Sequence, residues 1–194
     1  MLKKMSMSVL TAVCFIAFSF PAQSSAQAKT YTVQEGDSFY TIAKQIGVSA
    51  DQLQAMNDRA NSEEVYPGEV LKLPVVPSAS EKDLLNRLVE AEAKGESYAG
   101  KVAVATVVLN RVESDRFPDS IYNVIHDGYQ FSPVLNGSIN EPASQESKDA
   151  VEEAVNYQGY DRDSIFFYNP DKAESSYLSS QEETTVIGNH VFLK

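Results

Sequence analysis

Residues 88–100 read LVEAEAKGESYAG, and a carboxylate sits there where the surrounding pattern would place a leucine. Leu84, Leu85, Leu88 and Val89 recur at the three- and four-residue spacing of one helix face, and one further turn of that stripe lands on Glu92. Gly95 is suited to end this helix and Ser97 to cap the next. A carboxyl carried on an apolar stripe loses hydration, which disfavours its charged form and raises its pKa. An acid kept protonated near neutral pH can protonate a glycosidic oxygen as the bond breaks. Position alone leaves a second reading open, in which Glu92 ends the stripe and reaches solvent. Glu90 and Glu96 read as solvated. A like charge four residues beyond Glu92 would push a proton onto one of the pair only if the helix ran that far, and Gly95 interrupts it.

Downstream, VAVATVVLNRV (102–112) is apolar on nearly every side, as a central core helix would be. Its β-branched residues would also suit a buried strand, but its length and two alanines favour helix. Ala143, Ser147, Ala150, Val151, Ala154 and Val155, after Pro142, give another amphipathic helix. SIFFYNP and TTVIGNHVF read as short strands, the second broken by a Gly188-Asn189 turn. Residues 81–194 are therefore expected to form a mainly helical domain with a small β element.

Upstream, residues 29–75 form a separate unit. KTYTV reads as a strand, and Phe39, Ile42, Ala43 and Ile46 make a helical stripe ending at Gly47. Ser49 with Gln52 predicts a capping box for a second helix carrying Leu53 and Met56. Pro67-Gly68 then turns into the strand VLKLP. The predicted order is strand, helix, helix, strand, and residues 76–80, VPSAS, read as a linker. The expected fold class is α+β.

The first 28 residues carry Lys3 and Lys4, an apolar run from about Val9 to Phe20 and a small-x-small site at Ala26-Gln27-Ala28, the layout of a secretory signal peptide. The apolar run falls short of the ~20 residues a spanning helix needs. Cleavage there would remove two lysines, no acid and the single cysteine, Cys14, shifting the formal charge from −11 to −13. The expected mature chain is exported, acidic and free of disulfides, which excludes a cysteine nucleophile. Strong negative charge argues against nucleic acid or an anionic membrane as partner and leaves a neutral or weakly charged polymer such as glycan. His126 and His190 share no metal-ligand spacing, and there is no Gly-x-Ser-x-Gly elbow or phosphate-binding glycine loop. No metal and no cofactor are expected, and carboxylates remain as the catalytic candidates.

Two resemblances sharpen this reading. YTVQEGDSFYTIAKQIGVSADQLQAMN with VYPGEVLKLP resembles a LysM domain over nearly its whole length, which implies binding of glycans containing N-acetylglucosamine through two loops: Gly36, Asp37, Ser38 and Phe39 on one side, Asn57, Tyr66 and Pro67 on the other. LVEAEAKGESYAGKVAVATVVLNRVESDRFPDSIYNVI, with QFSPVLNG, FFYNP and IGNHVF, resembles the SleB/CwlJ cell wall hydrolase family, whose best-known members open spore cortex peptidoglycan. That resemblance covers residues 83–193 and implies a lysozyme-like fold related to lytic transglycosylases, with one essential glutamate. Carried over, it is Glu92. Glu96, Gln130, Phe131, Tyr168 and Asn169 are implied as substrate-groove residues. The family often has a tryptophan and an arginine ahead of its Ile-Gly-x-His, where this chain has Tyr177 and Gln181.

The expectation is a secreted, wall-associated enzyme that cleaves the glycan backbone of peptidoglycan, held to the wall by LysM. A single acid, and the family's relation to lytic transglycosylases, imply 1,6-anhydromuramic ends. The alternative is a non-catalytic wall or spore protein with a degenerate hydrolase domain. A stem-peptide amidase or peptidase would want a metal site or a cysteine, which the mature sequence lacks.

Overall fold

The computed structural model of the protein describes residues 30–59, 62, 64–158, 161–172 and 175–194. The signal peptide expected over 1–28 lies outside the described residues.

The first unit has the predicted order. Strand β1 (Thr30–Thr32) pairs antiparallel with β2 (Val70–Lys72), Thr30 opposite Lys72. Between them lie α1 (Phe39–Ile46) and α2 (Ala50–Met56). Ser38 and Thr41 form a full capping box on α1, and Gly47 closes it at φ 80°, a left-handed conformation that needs no Cβ. Phe39, Ile42, Leu53 and Leu71, each at most 2 % exposed, fill a small core of their own. The expected box at α2 is only half present. Ser49 accepts from the Gln52 amide, but the Gln52 side chain, instead of reaching back, donates to the Val155 carbonyl in the second unit.

The second unit begins earlier than its sequence suggested. Ser78 caps α3 (Ala79–Glu92) in a reciprocal box with Glu81, so Ser78, Ala79 and Ser80 of the expected linker are helix start, and residues 73–77 connect β2 to this cap. That short connection is pinned. Gln158 accepts from the Val75 amide and donates to its carbonyl, both at 2.8 Å, and Arg162 reaches across to the Met56 carbonyl and to Asp58.

After α3 comes α4 (Tyr98–Glu113), capped by Ser97, and it is the hub of the core. Val104, Ala105, Val107, Val108 and Leu109 are wholly buried, packed against Leu85, Leu88 and Val89 of α3. A helix apolar all round has to be covered all round. Its cover comes from α3, from α7 (Gln145–Asn156) and from the sheet β3 (Phe166–Tyr168), β5 (His190–Leu193), β4 (Glu183–Ile187), in that antiparallel order. Two short helices that the sequence pattern did not announce, α5 (Ile121–Ile125) and α6 (Ser132–Asn136), close one end.

Candidate active site

Glu92 is the last residue of α3, and Ala93, wholly buried, follows as its C-cap. The stripe that buries Leu88 and Val89 carries Glu92 into the same covered zone, where it is partly buried. Loss of hydration lifts its carboxyl to about 7, against a smaller opposing pull from the backbone amide of Ser132, the first residue of α6, which packs against α3. Near neutral pH the group is thus divided between acid and base, the condition for giving a proton in one step and accepting one in the next.

Ser132 opens α6, and the segment before it is tightly tied. Phe131 is 3 % exposed and belongs to the main core, so its ring offers no open face to a sugar. The Gln130 amide is used at both ends: its oxygen accepts from Arg111 at 2.8 Å and its nitrogen donates to Asp127 at 2.8 Å. Of these two expected groove contacts, Phe131 is buried in the core, whereas Gln130 is exposed in the loop that leads into Ser132.

The other acids near the quoted stretch are occupied. Glu90 accepts from the Ser144 amide and hydroxyl and from the Ser147 hydroxyl, bonds that hold its pKa below the usual value and tie α3 to the start of α7. Glu96 accepts from the Asn189 backbone amide at 3.2 Å and side-chain amide at 3.1 Å. Burial pushes the Glu96 pKa up, but these bonds, with His190 and Lys172 nearby, outweigh it and leave the pKa lowered. Glu96 therefore fastens the β4–β5 hairpin to the turn after Glu92. Asn169 is 8 % exposed and its side-chain oxygen accepts from the Asp171 amide, an Asx turn. Tyr168, on β3 opposite Val191, is half-buried.

In the first unit the two expected loops lie side by side, joined by hydrogen bonds from Val33 to Glu69 and from Gly68 to Val33. Several of the expected contact residues are engaged internally. Asp37 accepts from the Tyr31 hydroxyl and the Gln34 amide, Ser38 caps α1, Phe39 is core, and Asn57 bonds Lys72 of β2 through both its amide atoms. Gly36 has φ 87° at the loop tip, and Tyr66 (59 % exposed) and Pro67 stand open to solvent. Among the described residues no group of three His, Cys, Asp or Glu could hold a metal, and no helix is long and apolar enough to cross a membrane.

Comparison with known proteins places this geometry. Residues 95–193 match the Cell Wall Hydrolase family and residues 31–74 match the LysM domain. The chain belongs to the cell wall hydrolase family. The spore cortex-lytic enzyme of Halalkalibacterium halodurans is 35% identical over 138 residues, 71% of this chain and 40% of that protein, and the Bacillus subtilis one is 36% identical over 109 residues, 56% and 36% respectively. This chain thus spans about 40% of the length of the curated relatives it matches. Two solved structures are similar at 35% identity and TM-score 0.57, each covering 63% of this chain: the catalytic domain of the germination-specific lytic transglycosylase SleB from Bacillus anthracis, over 100% of its length, and that of Bacillus cereus SleB, over 95%.

Glu92 stands three residues ahead of the matched cell wall hydrolase span, at the end of the helix that leads into it. The Ser132 amide is the member of the candidate site that sequence reasoning missed. A backbone donor leaves no trace in side-chain pattern, although the run Phe131-Ser132-Pro133, with proline in a first turn, was a signal for a helix start.

Proposed function

We propose that this cell wall hydrolase is a secreted enzyme that cleaves peptidoglycan between N-acetylmuramic acid and N-acetylglucosamine, as a lytic transglycosylase, with Glu92 as its catalytic residue and the LysM unit holding it on the wall. The observation that carries this is a carboxyl raised to about 7 by burial, at the end of the helix that leads into a matched cell wall hydrolase span. Protonated Glu92 gives its proton to the leaving glycosidic oxygen as the bond to the anomeric carbon breaks. The Ser132 amide stabilises the carboxylate so formed. That carboxylate then takes the proton of the muramic 6-hydroxyl as its oxygen bonds the anomeric carbon, closing a 1,6-anhydro ring without consuming water. The internal nucleophile is already positioned, which replaces a second carboxylate by proximity.

Hydrolysis would need that second carboxylate, across the scissile bond, to activate water or attack directly. Of the other candidate acids, Glu96 and Asp127 are held by hydrogen bonds to other parts of the fold, and Glu141 lies exposed in the loop ahead of α7. Likeness to a germination-specific lytic transglycosylase supports the same outcome. Mass spectrometry of muropeptides released from purified peptidoglycan tests it. Anhydro ends are one water lighter than reducing ends, and release of reducible ends alone would replace transglycosylation by hydrolysis.

A further inference from the structure

Arg111 is 5 % exposed in the middle of the core, and among the described residues no carboxylate lies within salt-bridge distance of it. Burial lowers its pKa to about 10, with only partial relief from the charge of Asp127. A buried charge without a direct counter-ion costs several kcal/mol, and an apolar side chain of similar volume would avoid that cost. What the cation supplies instead is direction. Its Nε donates to the Ile165 carbonyl at 2.7 Å and its Nη1 to the Gln130 side-chain oxygen at 2.8 Å. The guanidinium also lies 4.9 Å from the Phe117 ring centroid, 5.2 Å from Phe131 and 5.7 Å from Phe166. Two of these partners, Gln130 and Phe131, immediately precede Ser132.

Nothing local holds that amide. The helix it opens has five residues, too few to persist alone, and Phe131 at its N-cap provides no side-chain cap. The loop before it is fixed because the Gln130 amide is gripped by Arg111 on one side and Asp127 on the other. We infer that Arg111 is a positioning residue for the catalytic acid, setting the Ser132 amide against Glu92 through the Gln130–Phe131 segment. The inference rests on the role proposed above for Glu92. Lysine cannot substitute, since a point charge lacks the planar fork that bonds the sheet and the loop at once.

The test is made on the full chain with carboxyl-13C glutamate, the Glu92 signal being assigned by its loss in Glu92→Gln. Burial and the Ser132 amide set the Glu92 titration, with no charged side chain contributing. Moving the amide away removes the interaction that favours the carboxylate. In Gln130→Ala and Arg111→Lys the midpoint should therefore move up, by about half a pH unit or more. On soluble glycan fragments kcat should fall about tenfold with KM within about twofold, as expected for misplacement of a reacting group. An unmoved midpoint in folded Gln130→Ala overturns the inference whatever the activity. Gln130 is an exposed loop residue, so this arm survives if Arg111→Lys does not fold. Full activity in Glu92→Gln would instead remove the parent assignment, and the midpoint would still report whether the brace acts on Glu92.

Discussion

Two glutamates in this protein have been driven to the same acidity by the same cause, in different surroundings. Glu92 ends α3 and Glu113 ends α4. Each is partly buried at a helix C-terminus, where the helix dipole adds to the disadvantage of negative charge, and burial lifts each to about 7. Their surroundings differ. At Glu92 the backbone amide of Ser132 favours the carboxylate, and the residue ends the helix that leads into the matched cell wall hydrolase span. Glu113 lines a cleft of about 710 Å³ between the LysM unit and the second domain, where Arg162 and Lys72 pull its pKa partly back down. Arg162 is itself occupied by the Met56 carbonyl and Asp58, contacts that join the units. A raised pKa marks a covered carboxyl; a donor directed at the charged form marks one built to change its charge.

The largest effect that could break this contrast is on cleavage. Glu92→Gln keeps the size of the side chain and removes the transferable proton, so turbidity loss of purified peptidoglycan should fall by about 10²- to 10⁴-fold, the share general acid–base catalysis supplies. The fold should not suffer. A carboxyl whose folded pKa exceeds its unfolded value contributes stability at low pH that is lost as pH rises from about 4.5 to about 7. The amide has no such loss, so at pH 8 the melting midpoint of the variant should equal or exceed that of wild type. Full activity in a folded variant would end the assignment of Glu92.

How far this was visible beforehand differs between the two ends of the argument. Glu92 was legible because one acid broke a period of leucines, and the LysM unit was legible because its helices, caps and turn follow one another locally. Arg111 was not. It sits in VAVATVVLNRV, which reads as apolar throughout, and the partners that make its burial tolerable come from positions 117, 130, 131, 165 and 166. The burial of Phe131 and the double hydrogen bond of Gln130 were equally hidden, since they depend on pairings that no local pattern encodes. Helix α6 is too short to show a period. Glu113, close in sequence to Arg111, Ser114 and Asp115, carries no local mark of burial, because the cleft that it lines draws Met56, Asp58 and Lys72 from the LysM unit.

A third glutamate sharpens the comparison with a smaller effect. Glu96 is held by Asn189, and a Cβ on Gly188 would come within 2.5 Å of its carboxylate, so hairpin and turn are fitted to each other. Glu96→Gln should lower stability by about 1 kcal/mol at pH 7, one hydrogen bond to a charged group being weakened, and leave cleavage within about threefold of wild type. Because the folded pKa is lowered, this contribution is present above the unfolded value of 4.5 and disappears as pH falls through the folded one. Urea unfolding of the two proteins should differ at pH 7 and converge once the pH has fallen below the folded value. A hundredfold loss of cleavage would mean that Glu96 takes part in the chemistry.

The smallest expected effect on activity is at the partner in the comparison. If the cleft beneath the LysM unit is structural, Glu113→Gln should leave cleavage of soluble fragments within about twofold of wild type, because no reacting bond comes near it. Its signature should appear in stability. In wild type the unfolded chain ionises this carboxyl from about pH 4.5 whereas the folded protein resists until about 7, so folding is progressively disfavoured across that window. Glutamine removes the penalty, and the melting midpoint should rise at pH 8 by about 2–4 °C, the shift that roughly 1 kcal/mol produces in a chain of this size. At pH 4, where the carboxyl is protonated in both states, the two proteins should melt together. Arg162 keeps Asp58 as its partner in the variant, which limits any new repulsion between Arg162 and Lys72. Loss of cleavage in Glu113→Gln comparable to that in Glu92→Gln, with the fold intact, would invert the comparison and move the chemistry to the interdomain cleft.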